Sequence, residues 1–452
     1  MQATGSGANP QWSSRFAFLM AAIGSAVGLG NLWRFPFQTG AHGGSAFVFV
    51  YLVCVVLVAY PILMGELATG RHKGLSAVGS AKQLAIDIGR SPRWSIVGWM
   101  GVLAGFTITT TYSVIGGQVL AYSVMSFLGE FAGKVGGDAA IVAPLYDGAL
   151  WALAWHTVFM GLTIAIVVAG LKGGIERVVT ILMPLFFLML AILCVYALAT
   201  GEAGKAITYL FTPDFSAITP SVVLAALGQA FFSIGVGMAI MLTYGSFLPK
   251  TENIGTSAAI IAGSDTFVAI IAGLMIFPIV FSVGLDPAAG SSLIFGALPA
   301  VFAGMPAGSI VGGLFFFLAF IAALTSAISL ILACASVGEE QFGFERKTST
   351  FIWGGAAWAI GAASVVIPGL TPWIDFFGGS VFLPLGGLLI AIFAGWVAPR
   401  AVMREELANT SDPIFRFWRF FIRYLAPIAV FLILVLGLDA KFGWGLAALI
   451  GG

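Results

Sequence analysis

The chain has 452 residues, of which 60% are hydrophobic and only 9% are charged, and its mean hydropathy is +1.04. Soluble proteins carry about 25% charged residues, so this composition excludes a soluble globular protein and predicts one that crosses a membrane many times. The net charge of +1 is uninformative about nucleic acid, and no basic cluster suggests nucleic-acid binding. Three scattered cysteines without a CxxC or His/Cys pattern predict neither a disulfide framework nor a metal site.

The first residues and the spans that follow define a membrane domain. Residues 1–14 are polar and uncharged, so we expect no cleavable signal peptide. Apolar stretches of about 20 residues, the length that crosses a bilayer, then recur about eleven times. They fall near residues 16–40, 45–70, 95–127, 150–170, 176–199, 219–247, 255–284, 309–338, 350–368, 373–398 and 421–438. We therefore predict an all-α membrane protein with a single transmembrane domain over residues 1–452.

Positive charge is distributed unequally between the two sides of these spans. Only Lys134, Lys205 and Lys441 fall outside if the N-terminus is placed inside. The inside set is Arg15, Arg71, Lys73, Lys82, Arg90, Arg93, Lys172, Arg177, Lys250, Arg346, Lys347, Arg400, Arg404, Arg416, Arg419 and Arg423. Since cytoplasmic loops carry an excess of Lys and Arg, the pattern predicts a multi-pass protein of the cell membrane with a cytoplasmic N-terminus.

Two of the apolar stretches are interrupted. Residues 24–37 read GSAVGLGNLWRFPF, and residues 229–238 read QAFFSIGVGM in the sixth stretch. Irregular backbone survives in hydrocarbon only where it lines a cavity or is buried in protein. The first and sixth spans open two groups of five, and broken spans in matching positions of two halves are typical of a transporter's binding site at the bilayer midplane. The alternative is that Gly24 and Gly28 form a GxxxG pair that only packs helices together.

The motifs resemble a known family in consistent order along nearly the whole chain. They are GLGNLWRFP at residues 28–36, the glycine pair 43–44, GIER at 174–177, QAFFS at 229–233 and LTS at 324–326. In these residues the chain resembles the neurotransmitter:sodium symporter family. The resemblance implies the leucine-transporter fold, with broken helices 1 and 6 and two inverted five-helix repeats, at about 14–200 and about 215–398, before an extra helix at about 421–438. It also implies sodium-driven alternating access, and so a transporter that is not an enzyme.

The resemblance implies two bound sodium ions. One site takes oxygens from Gly24, Val27, Ala322, Thr325 and Ser326, and the other takes them from Ala26, Asn31, Ser233, Asp265 and the substrate carboxylate. Carbonyls of unwound backbone and hydroxyl groups supply the oxygen ligands that a hard cation prefers. The alternative for Thr325 and Ser326 is back-bonding to helical carbonyls, which is common for these residue types.

Asp265 departs from the commonest family pattern, which has an amide at this position. In animal relatives a chloride site would use Tyr51, Gln229, Ser233 and a hydroxyl at position 269, which is alanine here. A fixed negative charge at Asp265 could replace the anion, so we predict that transport is independent of chloride. The alternative is a protonated Asp265 that hydrogen-bonds to a neighbour.

The substrate site is predicted at the first break. The backbone amides of Leu29 and Gly30 lie where a helix N-terminus can receive an anion, and Tyr112 resembles the hydroxyl that contacts a substrate carboxylate. Monoamine carriers of the family have an aspartate at the position of Gly28, so glycine favours a substrate with its own carboxylate. The pocket is expected to be lined by Ser25, Ala26, Ile108, Phe232, Ser233, Gly235, Met238, Ser326 and Leu330.

Glycine at 235 adds volume to this pocket, and methionine at 238 adapts its shape. We therefore expect neutral hydrophobic L-amino acids, including large ones. The alternative substrate is a β- or γ-amino acid such as taurine or GABA, because Gly235 leaves room to shift a longer backbone.

Arg34 and Asp375 match an outer gate pair, with Phe232 and Tyr112 as an aromatic lid. Snorkelling to the outer interface is the alternative role for Arg34. Trp12 and Glu340 stand at inner gate positions.

The inner gate departs from the family pattern. Asn9 replaces an arginine and Phe247 a tyrosine, so Glu340 needs another partner. Glu66, an acid within the second span, is expected to hydrogen-bond to backbone near the break in span one.

Two other function classes are alternatives to a transporter. A membrane-embedded hydrolase would need a base beside its nucleophile, and no histidine lies in mid-span near Ser233 or Ser326. Labelling of a serine by an inhibitor would favour that class. A sodium-binding receptor or scaffold would bind without carrying, and counterflow in proteoliposomes would separate it from a carrier. Nothing in the residues predicts an oligomeric state.

Overall fold

The computed structural model describes residues 11–131, 148–287, 295, 296 and 298–446, and these contain helices and no strand. The first half of the chain forms α1 Arg15–Ala26, α2 Gly30–Ala41, α3 Ser45–Arg71, α4 Ala77–Asp87, α5 Ile96–Phe127, α6 Ala149–Val168, α7 Leu171–Thr200 and α8 Ala203–Phe211. The second half forms α9 Pro220–Ile234, α10 Ile240–Ser246, α11 Ile254–Ser282, α12 Leu298–Gly304, α13 Gly308–Phe342, α14 Arg346–Val366, α15 Leu370–Val397, α16 Arg400–Glu406 and α17 Asp412–Phe442.

Local capping sets where several of these helices begin. The Ser14 hydroxyl accepts a hydrogen bond from the Ala17 amide at 3.1 Å and caps α1. Thr219 caps α9 in the same way, ahead of a proline at the first helical position, and Asn253 caps α11. Such caps satisfy amides that have no partner within the helix.

Helical structure covers every predicted span. In the described part of the chain, eight helices are long and apolar enough to cross a membrane, or nine if α1 and α2, bent by 48° at their junction, form one span. The remaining predicted spans, near 95–127 and 219–247, coincide with α5 and with α9 followed by α10. The number of spans that cross the membrane and the division into repeats stay predictions.

Helix α13 forms the centre of the bundle. The most apolar window of α13 is 89% buried, whereas that of α17 is 22% buried. Helix α13 packs against α1, α5, α6, α7 and α14. The side chains of its middle turns therefore face other helices rather than lipid, and they lie beside the interrupted α1–α2 segment.

Loops predicted to be cytoplasmic lie together at one end of the bundle. Arg15 pairs with Glu252 at 3.0 Å, and Glu406 pairs with Arg71 at 3.4 Å and with Lys250 at 2.6 Å. These contacts join four segments that are far apart in sequence, as the prediction that they share one side of the membrane requires.

Candidate functional site

The break in the first span releases two backbone carbonyls. Helix α1 ends at Ala26, and Val27 is extended with φ −69° and ψ 111°. In a continuous helix the amides of Gly28 and Asn31 would donate to the carbonyls of Gly24 and Val27. Instead, Gly28 N donates to Asn31 Oδ1 at 2.9 Å, and Asn31 N donates to Gly28 O at 3.1 Å. The Gly24 and Val27 carbonyls are therefore available to another partner.

The middle of α13 packs against the first break and carries two hydroxyl groups there, those of Thr325 and Ser326. A Cβ added to Gly24 would lie 3.3 Å from Thr325 Cβ, so the two backbones approach closely there. Ser326 Oγ lies 3.1 Å from both Ser25 O and Ala322 O, and its one hydrogen can be donated to either. Thr325 Oγ1 lies 3.0 Å from Ile321 O and 3.2 Å from Ala322 O, so its hydroxyl donates to a carbonyl of its own helix, as in the back-bonding alternative. Buried, uncharged oxygens of this kind fit a monovalent hard cation.

The break in the sixth span uses left-handed backbone. Gly235, Gly237 and Ala239 have φ of 71°, 90° and 61° between α9 and α10. A Cβ on Gly237 would lie 2.6 Å from Leu383 O, so only glycine fits this close approach. Glu66 Oε1 accepts a hydrogen bond from Gly237 N at 2.7 Å. The expectation that Glu66 binds near the first break is therefore wrong, because its carboxylate satisfies an amide of the sixth-span break.

Asn31, Ser233 and Asp265 form one buried polar cluster. Asn31 Nδ2 donates to Asp265 Oδ1 at 2.7 Å and to Ser233 Oγ at 3.0 Å. Ser233 Oγ donates to Asp265 Oδ2 at 2.8 Å, and Tyr51 OH reaches the same oxygen at 3.4 Å. Ala26 lines the same internal cavity as Ser233. The structure thus brings the residues of the second predicted cation site together.

The charge of Asp265 has no basic partner among the described residues. Its side chain is fully buried, and its hydrogen bonds come from an amide and two hydroxyls. A buried carboxylate without an opposite charge is costly, so either a proton or a cation must balance it. The neighbouring oxygens of Asn31 and Ser233 are suitable ligands for such a cation.

The residues of the chloride pattern surround the same carboxylate. Tyr51 and Ser233 both donate to Asp265 Oδ2, while Gln229 Nε2 donates to Gly30 O at 3.0 Å and leaves its Oε1 buried without a partner. Ala269 is buried and contributes no hydroxyl. A carboxylate oxygen therefore takes the hydrogen bonds that an anion could receive from Tyr51 and Ser233.

The predicted pocket residues line one internal cavity of about 40 Å³. All of them except Leu29 are present: Ser25, Ala26, Gly28, Gly30, Ile108, Tyr112, Phe232, Ser233, Gly235, Met238, Ser326 and Leu330. Leu29 lines the adjacent cavity instead, although its amide faces the Tyr112 hydroxyl at 3.4 Å. Ile240 also lines the pocket and was not anticipated, because only the turn through Ala239 brings it there.

A wider cavity of about 600 Å³ adjoins this pocket. Gly30, Ile108, Tyr112 and Phe232 line both cavities and so stand between them. Phe232 and Met238 line the small pocket, so their side chains border the space that a bound hydrophobic side chain would occupy. The arrangement fits the expected aromatic lid.

Arg34 and Asp375 line the wide cavity but do not form an ion pair there. The Arg34 guanidinium lies 4.6 Å from the centre of the Phe232 ring, and its Nη1 is buried without a partner. Asp375 accepts a hydrogen bond from Thr111 Oγ1 at 2.7 Å. The two residues of the predicted gate pair thus line the same cavity, and each is held by another neighbour.

The end that is predicted to be cytoplasmic is closed by aromatic packing. Trp12 packs edge-on against Tyr244 and Phe247, and Trp12 Nε1 donates to Tyr244 O at 3.4 Å. Asn9 lies outside the described residues.

The partner of Glu340, which the sequence did not identify, is a backbone amide. It accepts a hydrogen bond from the backbone amide of Ser76 at the start of α4, where Gly79 leaves room for the carboxylate. An acid at a helix N-terminus is favourable, so α4 takes the place of the missing arginine.

Comparisons with known proteins agree on one family. A model described as the sodium:neurotransmitter symporter family matches residues 9–138 and 148–442. An uncharacterized sodium-dependent transporter, YhdH of Bacillus subtilis (strain 168), is 36% identical over 448 residues, which cover 94% of this chain and 96% of that protein. An uncharacterized sodium-dependent transporter of Haemophilus influenzae is 29% identical over 94% of this chain and 97% of its own. The crystal structure of MhsT in complex with L-phenylalanine matches with a TM-score of 0.86 and 40% identity, over 95% of this chain and 99% of that chain.

Proposed function

We propose that this chain, which belongs to the sodium:neurotransmitter symporter family, imports neutral hydrophobic L-amino acids. As a member of that family it is a multi-pass, sodium-dependent symporter with the leucine-transporter fold, and it is not an enzyme. In this proposal two sodium ions bind with the amino acid, chloride is not required, and the N-terminus is cytoplasmic.

One observation carries the substrate class: the cavity between the two breaks contains no charged side chain in its lining. A zwitterionic amino acid brings both charges itself. Its carboxylate would be received by the amides of Leu29 and Gly30, the Tyr112 hydroxyl and a sodium ion, and its amine by backbone carbonyls of the breaks. The likeness to MhsT, whose structure contains L-phenylalanine, supports this substrate class.

The two sodium ions have different tasks in this proposal. The ion beside Asn31, Ser233 and Asp265 would contact the substrate carboxylate directly, so that substrate binding depends on it. The ion between the first break and α13, held by the released carbonyls and by Thr325 and Ser326, would fix the bend between α1 and α2 against the centre of the bundle. Occupancy of both sites would therefore favour one conformation over the other.

Alternating access requires that the two ends of the pocket do not open together. The wide cavity of about 600 Å³ lies on the side of Arg34, while Trp12 and the ion pairs of the opposite end close the other side. With the cytoplasmic loops at that closed end, this arrangement corresponds to an outward-facing conformation whose small pocket is sealed by Phe232.

The test is a thermal-shift screen of the purified full chain against L-amino acids, taurine and GABA, in sodium and in potassium. We expect leucine, phenylalanine and tryptophan to raise the melting temperature in sodium only. Tight binding of taurine or GABA with no effect of leucine or tryptophan would support the alternative substrate class. Counterflow of the stabilising amino acid in proteoliposomes then separates a carrier from a receptor that only binds.

A further inference from the structure

Four arginines line an open cavity of about 350 Å³ near the first turns of α17, and this cavity shares no lining residue with the two cavities of the candidate site. They are Arg400, Arg416, Arg419 and Arg423. None of the four forms an ion pair with any residue that the structure describes, whereas their neighbour Arg404 pairs with Asp412 at 2.6 Å. Four like charges without acidic partners repel one another, so the cluster favours a bound anion.

Two of these side chains are held in place. Arg419 Nη1 donates to Ala394 O at 2.9 Å, which fixes the guanidinium against the end of α15. The Arg423 guanidinium lies 4.2 Å from the centre of the Trp396 ring, and its Nε is buried without a hydrogen-bond partner. A buried donor without a partner is costly, and a ligand with acceptor oxygens would satisfy it. The surface is thus pre-organised for an oxyanion.

The surroundings of the four arginines indicate where this anion comes from. Trp396 and Tyr424 border the site and are half exposed, as aromatic residues are at the bilayer interface. Further along α17, Ile428 and Phe431 are 60% and 52% exposed and present an apolar surface to the hydrocarbon. A ligand with a phosphate beside Arg423 and acyl chains along Ile428 and Phe431 would match both parts of this surface.

We propose that the four-arginine surface binds the phosphate headgroup of an anionic phospholipid, with the acyl chains lying along α17. Guanidinium groups bind phosphate oxygens through paired hydrogen bonds, and basic surfaces on the cytoplasmic side are typical recognition sites for such headgroups. The orientation rests on the proposed function, because it is the cytoplasmic assignment of this end that places the site in the inner leaflet.

The experiment measures lipid binding by the intact protein, without sodium or amino acid. Purified chain is titrated with phosphatidylglycerol or phosphatidylcholine in detergent, and bound lipid is counted by native mass spectrometry. We expect phosphatidylglycerol to bind preferentially. The exposed pair Arg400→Gln with Arg416→Gln should weaken its binding roughly 25-fold, since each arginine contributes about fivefold. The pair Arg400→Lys with Arg416→Lys, which keeps the charge, should recover part of the affinity.

The matched control is Arg90→Gln with Arg93→Gln, two exposed arginines at the same end of the protein outside the site. This control should bind phosphatidylglycerol as the parent does, and an equal loss in both pairs would show general surface attraction and overturn the proposal. Equal binding of phosphatidylcholine would also overturn it. If inorganic phosphate displaces the lipid at comparable concentration, the site is one for small anions. Because lipid binding is read without transport, a chain that binds lipid but carries no amino acid would reject the proposed function alone.

Discussion

Asn31 donates a hydrogen bond of 2.7 Å from its side-chain amide to the carboxylate of Asp265, and both side chains are fully buried. The contact joins the start of α2, just after the first break, to the middle of α11. A cation bound by Asn31 would therefore lie beside a fixed negative charge that the chain itself provides. This geometry connects ion binding to the question of whether an external anion is needed.

Transport by the unmodified protein should proceed equally well in chloride and in gluconate. The double variant Asp265→Asn with Ala269→Ser removes the fixed charge and restores a hydroxyl beside Tyr51, Gln229 and Ser233. It should become stimulated by chloride, because the sodium charge then lacks its internal partner. Uptake of labelled amino acid into proteoliposomes at constant sodium measures this.

The single variant Asp265→Asn is the control, because it lacks the added hydroxyl at position 269. It should lose transport, and chloride should restore less of that transport than it does in the double variant. Protonation of Asp265 cancels its charge, so uptake by the parent should fall as external pH is lowered. A permanently protonated Asp265 would give no such fall. A chloride requirement in the unmodified protein would contradict the assignment of Asp265.

Removing the two hydroxyls of α13 should weaken sodium and substrate binding together. Thr325→Ala with Ser326→Ala deletes two ligands of the first predicted sodium site, and coupling between two ligands is reciprocal. We expect the sodium affinity to fall and the substrate affinity to fall with it by about 5- to 150-fold, the usual range of such coupling. Titration of sodium at fixed amino acid, and the reverse, gives both values by thermal shift.

Thr163→Ala with Ser364→Ala is the matched control, because these buried hydroxyls also donate to carbonyls of their own helices but lie in α6 and α14. It should leave both affinities unchanged. Uptake by the parent that persists when potassium or choline replaces sodium would exclude sodium coupling.

The fold and the grouping of the site residues were predictable because short motifs mark both helix breaks. Gly24 and Gly28 mark the first break, and Gly235 the second, so the lining of the pocket followed from matching these segments to the family. The pairing of individual side chains was not predictable. The Arg34 guanidinium lies over the Phe232 ring and does not contact Asp375. Whether two such residues pair depends on the conformation of the transporter, and the residue types alone do not determine that conformation.

Hydrogen-bond partners that are far apart in sequence also could not be predicted from the residue types alone. Glu66 was assigned to the wrong break because both breaks leave amides without partners, and only the packing of α3 against α10 selects Gly237. Glu340 binds the amide at the start of α4. The sequence of this short helix lies between two spans and is not apolar enough to be predicted as a span. These contacts depend on the approach of segments far apart in sequence.

Enlarging residue 235 should narrow the range of substrates. A Cβ at Gly235 would meet only Met238 Sδ at 3.9 Å, so Gly235→Ser has room for its side chain, which occupies space that a large substrate side chain needs. The left-handed φ of 71° strains any residue other than glycine at this position. Each missing methylene of fit costs about 1–3 kcal/mol, so tryptophan should lose tenfold or more in affinity before leucine is affected. Competition for bound labelled leucine measures the ratio.

Gly369→Ser controls for backbone strain, because Gly369 has a similar φ of 81° and open space around it, but lies outside the pocket. It should preserve the ratio of tryptophan to leucine affinity. An equal loss for both amino acids in Gly235→Ser would indicate strain rather than a change of pocket size.

Glu406 anchors the closed inner end through several charged partners. Its side chain is 2% exposed and contacts His72 Nδ1 at 2.9 Å and Lys250 Nζ at 2.6 Å. Burial alone would raise the pKa of Glu406, but the hydrogen bonds from His72 and Lys250, together with the charges of Lys250 and Arg71, lower it to about 2. The hydrogen bond to Glu406 in turn raises the pKa of His72 above its usual 6.5, against the opposing effect of burial.

His72 also contacts Asp87, with Nε2 3.0 Å from Oδ2. The contacts of His72 with Glu406 and Asp87 should make stability depend on pH in a defined direction. Glu406 keeps its charge throughout pH 6–9, and its contribution is lost only as pH falls from about 4.5 towards 2. Because the folded pKa of His72 is raised, the contribution of His72 is complete below pH 6.5 and disappears as pH rises through that folded pKa. His72→Gln should therefore lower the free energy of unfolding by about 1.5–3 kcal/mol at pH 6, the value of a hydrogen bond between charged groups, and by much less at pH 9. Melting temperatures in detergent at both pH values measure the difference.

His42→Gln is the control, because the His42 ring bonds to the backbone carbonyl of Gln38 rather than to an acid. A deficit of His72→Gln that is the same at pH 6 and pH 9 would show that the contacts of His72 stabilise the inner end without the histidine charge.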